Sequence, residues 1–107
     1  MPKFMLTVSY NAEGTKGLIK DGGTGRRAAV AKMLGALSGK LEGFYYAAGG
    51  TTVYAIADVP DATTVAAVTM AVRASGMMEI ETTMLLTPEE LDQAAKKTVN
   101  YQSPGKS

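Results

Sequence analysis

Residues 40–61, KLEGFYYAAGGTTVYAIADVPD, decide the fold of this chain. Two apolar stretches, residues 40–47 and 52–58, flank Gly49-Gly50, and this arrangement predicts two antiparallel strands joined by a tight hairpin whose glycines adopt positive φ angles. Neither strand has the polar face of a half-solvated sheet, because large apolar side chains occupy both alternating and successive positions. Both faces of the hairpin are therefore expected to be covered.

The elements before the hairpin follow from the spacing of apolar residues. Residues 3–10 alternate between apolar and polar side chains, which is typical of a strand. Apolar residues then recur at helical spacing, at Val30, Met33, Leu34 and Leu37. We expect a main helix from about Thr24 to Ser38 that faces a core with these residues, after a short turn of helix at residues 15–20.

The elements after the hairpin complete a recognisable order. Asp61 can cap a helix that reaches Ser75, with Gly76 as its left-handed end. A fourth strand is expected at residues 77–86, and Thr87-Pro88-Glu89-Glu90 has the pattern of a capping box that starts a last helix. The order predicts an α+β, ferredoxin-like βαββαβ fold with an added C-terminal helix and an antiparallel four-stranded sheet.

The sequence predicts one domain followed by a short tail. Residues 1–99 are expected to form a single domain, because about 100 residues support one hydrophobic core. Residues 100–107, NYQSPGKS, have little to bury and are expected to form a flexible or partner-docked tail.

One face of such a sheet carries the helices, and the other face is bare. The bare face is expected to hold either Met5, Thr7, Phe44, Tyr46, Tyr54 and Ile56, or the complementary set with Tyr10 and Tyr45. Both sets are too apolar for water, since burying several hundred Å² would stabilise an assembly by several kcal/mol at about 25 cal/mol per Å². We therefore expect a homodimer or a higher homo-oligomer in which two sheets pair.

Composition excludes several kinds of site. The chain has no cysteine and no histidine, which removes thiol nucleophiles, imidazole bases and the usual haem and zinc ligands, so no cofactor and no metal is expected. The net charge of +1 gives no reason to expect nucleic acid or a membrane as partner. No apolar run reaches the roughly 20 residues that cross a bilayer, and the N-terminus alternates like a strand, so a cytoplasmic location is expected.

Four segments together point to a family. They are residues 13–30 (EGTKGLIKDGGTGRRAAV), 39–49 (GKLEGFYYAAG), 53–61 (VYAIADVPD) and 75–92 (SGMMEIETTMLLTPEELD). Over about residues 3–95 the chain resembles the GYD-domain proteins, members of the dimeric α+β barrel superfamily. The resemblance implies pairing of two sheets in a dimer and implies little about function. Where the family's Gly-Tyr-Asp usually stands, this chain has Gly50-Thr51-Thr52, so no role of that tyrosine and aspartate is carried over.

The ligand site is expected between sheet and helices. Its expected residues are Tyr45, Tyr54 and Thr82 with Met33 in the cavity, and Lys20 and Arg26 at a polar entrance. A phenol offers a large apolar surface with one hydrogen-bonding tip, and the cations suit an acidic metabolite. The alternative for the tyrosines is packing in the core and at an interface.

A glycine-rich turn, residues 21–27, precedes the main helix and could hold a phosphate or carboxylate at the helix N-terminus. Arg26 falls about 40° from Val30 on the helical wheel and so on the core-facing side. The alternative is a flexible joint between two helical pieces, with Arg26 and Arg27 in solvent.

Three functions stay open at the level of sequence. The first is a homo-oligomeric protein that binds a small, acidic metabolite. The second is a cofactor-independent enzyme of the monooxygenase or isomerase type, with Asp58, Glu79 or Glu81 as base and Tyr45 or Tyr54 as proton donor. The third is a purely structural assembly protein. A pocket with a carboxylate of raised pKa favours the enzyme, a pocket with only hydroxyls and cations favours binding, and no pocket favours assembly.

Overall fold

The computed structural model describes residues 1–105. The elements in chain order are β1 (Lys3–Tyr10), α1 (Ala12–Asp21), α2 (Gly23–Ala36), β2 (Lys40–Tyr46), β3 (Thr52–Asp58), α3 (Ala62–Ala74), β4 (Met78–Leu85) and α4 (Pro88–Ala95). The strands form one four-stranded sheet in the order β2-β3-β1-β4, and each neighbouring pair is antiparallel. The predicted α+β, ferredoxin-like sheet is confirmed.

Local capping explains where the helices begin and end. Asp61 accepts a hydrogen bond from the backbone N–H of Thr64 at 2.8 Å, and Gly76 adopts a φ of 71°, both as predicted. The first helix begins at Ala12 rather than near residue 15, because the Asn11 side chain caps it by accepting from the N–H of Gly14 at 2.9 Å.

The hairpin differs from the prediction in its turn. Five residues separate the end of β2 at Tyr46 from the start of β3 at Thr52. Within residues 1–105 the glycines with positive φ are Gly22, Gly76 and Gly105, so Gly49 and Gly50 do not adopt the expected angles. A loop of this length can reverse the chain through an ordinary turn, without the mirror-image angles of a two-residue hairpin.

The core lies between the sheet and the helices. Its buried residues are Phe4, Leu6, Leu34, Ala55, Ala57, Val59 and Ile80. Leu34 is completely buried, whereas Leu37 is 39% exposed because α2 ends at Ala36 and the following residue no longer faces the core. The expected core position of Leu37 is therefore wrong.

The bare face combines parts of both predicted sets. Met5, Thr7, Tyr54 and Ile56 occupy it as the first set predicted, but Tyr45 lies there beside Tyr54, and Phe44 and Tyr46 point to the helices opposite Ala55 and Val53. Tyr10 also lies on the helix side, where it is buried. The mixture arises because the register between β2 and β3, and not the alternation within either strand, decides which side chains share a face.

The C-terminal segment forms an arm, defined here as residues 86–105. The predicted capping box of α4 is present, with the Thr87 hydroxyl and the Glu90 carboxylate each accepting from the other residue's backbone N–H. Every residue from 86 to 105 is exposed. The radius of gyration is 17.1 Å, against roughly 13 Å for a compact chain of this length. The arm therefore extends from the domain, while residues 106 and 107 of the predicted tail lie outside the described residues.

Across residues 1–105, no helix combines the length and the apolar character needed to cross a bilayer.

Candidate functional site

An apolar cavity of about 230 Å³ lies between the helix layer and the sheet. Leu6, Val8, Val53 and Ala55 of the two central strands form its floor. Val30 and Met33 of α2 and Val68, Ala71 and Val72 of α3 form two of its walls. Phe44, Met78, Ile80, Tyr10, Arg26 and Ser75 complete the lining.

Two features explain why the space is open, namely the separation of two helices and a small side chain beneath them. α2 packs mainly on β2 and α3 packs mainly on β4, so the two helices lie apart above the central strands. Below the gap, β3 places Ala55 where a larger side chain would fill the volume. Ala71 and Ser75 line the cavity and are exposed, so the cavity opens to solvent beside α3.

The polar groups of the cavity lie at one end. Tyr10 is the last residue of β1 and pairs with Met78, the first residue of β4. Ser75 caps the C-terminal end of α3, and Arg26 lies near the beginning of α2. The cavity thus has an apolar body and one end with a guanidinium, a phenol and a hydroxyl.

Arg26 is the only charged residue in this lining. Its Nε is buried and has no hydrogen-bond partner among residues 1–105. Its Nη1 lies 3.9 Å from a carboxylate oxygen of Asp21, and the two side chains are 28% and 48% exposed. A pair at this distance and exposure is weak, so the guanidinium keeps hydrogen-bonding capacity for a ligand.

Tyr46 holds the turn of α2 that carries Arg26. Its hydroxyl donates to the carbonyl of Gly23 at 3.0 Å, and its ring meets Phe44 edge to face with a centroid distance of 5.4 Å. Burial is the main cause that raises the pKa of Tyr46, and the neighbouring Tyr10 raises it further. The positive charges of Arg26 and Arg27 lower it in part. The phenol therefore stays neutral and a donor at physiological pH.

The predicted site residues do not come together. Tyr45 and Tyr54 face each other on the bare side of the sheet, and their exposures are 68% and 41%. The expectation that they line the cavity between sheet and helices is wrong, because residues of this parity in β2 and β3 point away from the helices. Whether they bind a ligand on the bare face stays a prediction.

The other three predicted residues have separate positions. Arg26 lines the cavity, as its place on the helical wheel predicted. Thr82 lies on the helix side of β4, and its hydroxyl is buried without a partner among the described residues, but it lies beyond the cavity lining. Lys20 is exposed in the last turn of α1 and also lies outside the lining.

The carboxylates considered as bases lie away from the cavity. Asp58 accepts from the ammonium of Lys3 at 3.0 Å, and Lys3 also pairs with Glu42. Glu79 and Glu81 are exposed on the bare side of β4. All of these acids therefore face solvent or the bare side of the sheet.

Sequence reasoning missed Tyr10 and Ser75 as cavity residues. Tyr10 shares its strand parity with the buried Phe4 and Leu6, so its position on the helix side was available from the alternation alone. The sequence indicates Ser75 only as the end of a helix. Its role in the lining depends on how α3 crosses the sheet, which no local pattern indicates.

Comparison with known protein families gives a match over most of the chain. A family model described as the GYD domain matches residues 4–95, a stretch that begins within β1 and ends with α4. No curated protein and no solved structure matches the chain.

Proposed function

The chain belongs to the GYD-domain family, and from this premise we propose that it is a homo-oligomeric binding protein that holds a small acidic metabolite in the cavity between its helices and its sheet. Arg26 supplies the charge that binds the acid. Tyr10 supplies a hydroxyl group at the same end, where the Ser75 hydroxyl already donates to the carbonyl of Val72, and the apolar walls hold the rest of the molecule.

The unpartnered guanidinium nitrogen of Arg26 carries this proposal. A buried donor without an acceptor costs about 1–3 kcal/mol, and more when the group is charged. An anion in the cavity would accept from Nε and a neighbouring Nη in the bidentate geometry that Arg and carboxylates share. Binding an acid would therefore satisfy a group that the protein itself leaves without a partner.

The chemistry of the lining supports binding over acid–base catalysis. Its polar side chains are a cation and hydroxyls, and its other members are apolar. The acids that could act as a base, Asp58, Glu79 and Glu81, are on the bare side of the sheet.

The test compares two neighbouring arginines. Calorimetric titration with hexanoate, benzoate and hexanedioate measures the affinity of the full-length protein for organic anions. Arg26→Met keeps the length of the side chain but removes the charge, and should weaken every anion that binds by about tenfold or more, since a charge-assisted hydrogen bond contributes about 1.5–3 kcal/mol. Arg27→Met removes an exposed charge one residue away and should change affinity by less than about threefold. If no anion binds, or if both variants bind like the parent, the proposal fails.

The homo-oligomeric part of the proposal rests on the bare face and the arm. Tyr45, Tyr54, Ile56 and Met5 form an apolar strip across three neighbouring strands. Four strands of seven or eight residues give a face of about 25 by 19 Å, or roughly 480 Å². A stable interface buries about 800 Å² per partner. The sheet supplies more than half of this area, and the arm, with Leu91, Val99 and Tyr101 exposed, is long enough to supply the rest.

We therefore propose a second copy as the occupant of the bare face, with the arm of each copy lying on its partner. Sedimentation velocity on full-length protein tests both contacts. Ile56→Lys should shift the oligomer to monomer, whereas Ala31→Lys on the exposed side of α2 should not. Leu91→Ser should weaken association, whereas Gln93→Ser in the same helix should leave it unchanged. A monomeric parent, or an oligomer that tolerates Ile56→Lys and Leu91→Ser, would contradict this part of the proposal.

A further inference from the structure

We propose that the cavity selects monocarboxylates with a compact apolar body, and that Asp21 enforces this choice by opposing a second negative charge. This inference rests on the proposed function, and it adds the class of ligand and the residue that determines specificity.

The volume of the cavity sets the size of the ligand. A water molecule occupies roughly 30 Å³ of the liquid, so the cavity volume of about 230 Å³ corresponds to about eight water-sized groups. This is below the range of about 300–1,000 Å³ that is typical of drug-sized ligands. Hexanoate and benzoate are of the size that fits, whereas nucleotides and longer fatty acids are too large.

The lining sets the polarity of the ligand. Beyond Arg26 and the hydroxyls at one end, the walls and the floor are aliphatic or aromatic. A polar group in the body of the ligand would lose its hydration without gaining a hydrogen bond. The body of the ligand must therefore be hydrocarbon, with its polar group at one end only.

The charges at the polar end set the charge of the ligand. Arg26 is the single cation in the lining, and the Asp21 carboxylate stands 3.9 Å from its Nη1. A carboxylate that binds Arg26 feels the repulsion of Asp21 once, whereas a ligand with two negative charges at that end feels it about twice. A phosphate monoester carries close to two charges at neutral pH, so the same repulsion disfavours it against a carboxylate.

Asp21 is placed to act in this way without being part of the fold's core. It is the last residue of α1, directly before Gly22, whose φ of 77° allows the chain to turn into α2. Its side chain is about half exposed. Removing its charge should therefore alter the field at the cavity end while leaving the packed core unchanged.

Three probes of similar length separate size from charge. Hexanoate carries one carboxylate, hexanamide replaces the carboxylate with a neutral amide, and butyl phosphate carries close to two negative charges at one end. Calorimetric titration of the full-length parent at neutral pH should rank hexanoate first, with the other two weaker by about tenfold or more. Circular dichroism and the midpoint of thermal unfolding check that each variant is folded.

Asp21→Asn then tests the source of the selectivity. Because the field of Asp21 acts on one charge in hexanoate and on nearly two charges at the same end of butyl phosphate, the variant should bind hexanoate about threefold more tightly and butyl phosphate about tenfold more tightly. The preference for hexanoate should therefore fall. A residue with a purely structural role would change both affinities by the same factor, so the ratio of the two separates the explanations.

The outcomes distinguish this inference from the function on which it rests. If hexanoate and butyl phosphate bind equally, or butyl phosphate binds better, the monocarboxylate class is wrong while anion binding at Arg26 stands. If Asp21→Asn leaves the ratio of affinities unchanged, the role of Asp21 is wrong. If none of the probes binds the parent, the proposed function fails and this inference fails with it.

Discussion

At Gly14, the addition of a single methyl group should destabilise the protein, because α1 packs closely on its neighbours at this residue. It is the buried residue of α1. A Cβ atom at this position would overlap the backbone carbonyl oxygen of Met77 and would lie 2.8 Å from Cδ1 of Tyr10. That carbonyl is fixed, since it accepts a hydrogen bond from the N–H of Asn11 at 2.9 Å. We therefore expect Gly14→Ala to push α1 away from the start of β4.

The expected magnitude follows from two opposing effects. Replacing glycine by alanine inside a helix stabilises it by about 0.8–1.0 kcal/mol. Overpacking costs about 1–3 kcal/mol, and more where backbone must move. The net effect of Gly14→Ala should be a loss of about 1–2 kcal/mol, which corresponds to a fall in Tm of roughly 4–16 °C for a domain of this size.

Gly17→Ala is the matched control in the same helix. A Cβ atom at Gly17 would meet no other atom within 4 Å, so this variant should gain up to about 1 kcal/mol from helix propensity alone. Thermal unfolding followed by circular dichroism measures both variants. Gly14→Ala should also weaken hexanoate binding, because the displaced Tyr10 ring lines the cavity. If Gly14→Ala is as stable as Gly17→Ala, the close approach of α1 to β4 is not a feature of the protein in solution.

Three further predictions concern pH, the turn that carries the cation, and the size of the cavity. The hydrogen bonds from the Thr64 hydroxyl and N–H hold the pKa of Asp61 below its ordinary value of 3.8. This stabilisation is present above the unfolded-state pKa and is lost as the pH falls through the lower folded-state pKa, so the Tm deficit of Asp61→Asn should be full at neutral pH and should shrink as the pH falls below 3.8; a deficit that does not change with pH would contradict this. Tyr46→Phe removes the hydrogen bond to Gly23 and should cost about 0.5–1.5 kcal/mol of unfolding free energy in chemical denaturation. It should also weaken the affinity for hexanoate roughly twofold to threefold; unchanged values would show that Tyr46 does not hold the turn that carries Arg26. Val68→Ala enlarges the cavity from the side of α3 and should cost about 1–3 kcal/mol in unfolding free energy. Calorimetry should show that the preference shifts from hexanoate towards octanoate. An unchanged preference would mean that the ligand binds elsewhere.

The elements of the fold were predictable because their signals are local. A cap such as Asp61 or Thr87 acts on backbone groups three residues away, so a short window of sequence contains all the chemistry involved. Asn11 uses the same chemistry, and recognising it as a cap would have placed the start of α1 correctly. In each case the hydrogen bond joins residues three apart in the chain, so the interaction can be predicted from the local sequence.

The faces of the sheet were not predictable because they depend on register between strands. β2 pairs Leu41 with Ala57 but Gly43 with Ile56, which leaves Glu42 as an additional residue in the strand. Such a bulge reverses the parity of all residues beyond it. In a strand that is apolar at successive positions, no polar side chain indicates this reversal. The face of Tyr45 therefore follows from this bulge, whereas the face of Tyr54 follows from the plain alternation of β3, which pairs with β1 without a register shift.

The observed register also changes how the proposed functions relate to each other. In β3, Val53 and Ala55 belong to the cavity floor, while Tyr54 and Ile56 belong to the bare face. Because neighbouring residues of a strand point to opposite faces, pairing of the bare faces covers none of the cavity lining. The cavity opens beside α3, away from the surface on which a second copy would sit. Assembly and ligand binding therefore need not compete for the tyrosines of this chain, since Tyr45 and Tyr54 are placed for the first role and Tyr10 for the second.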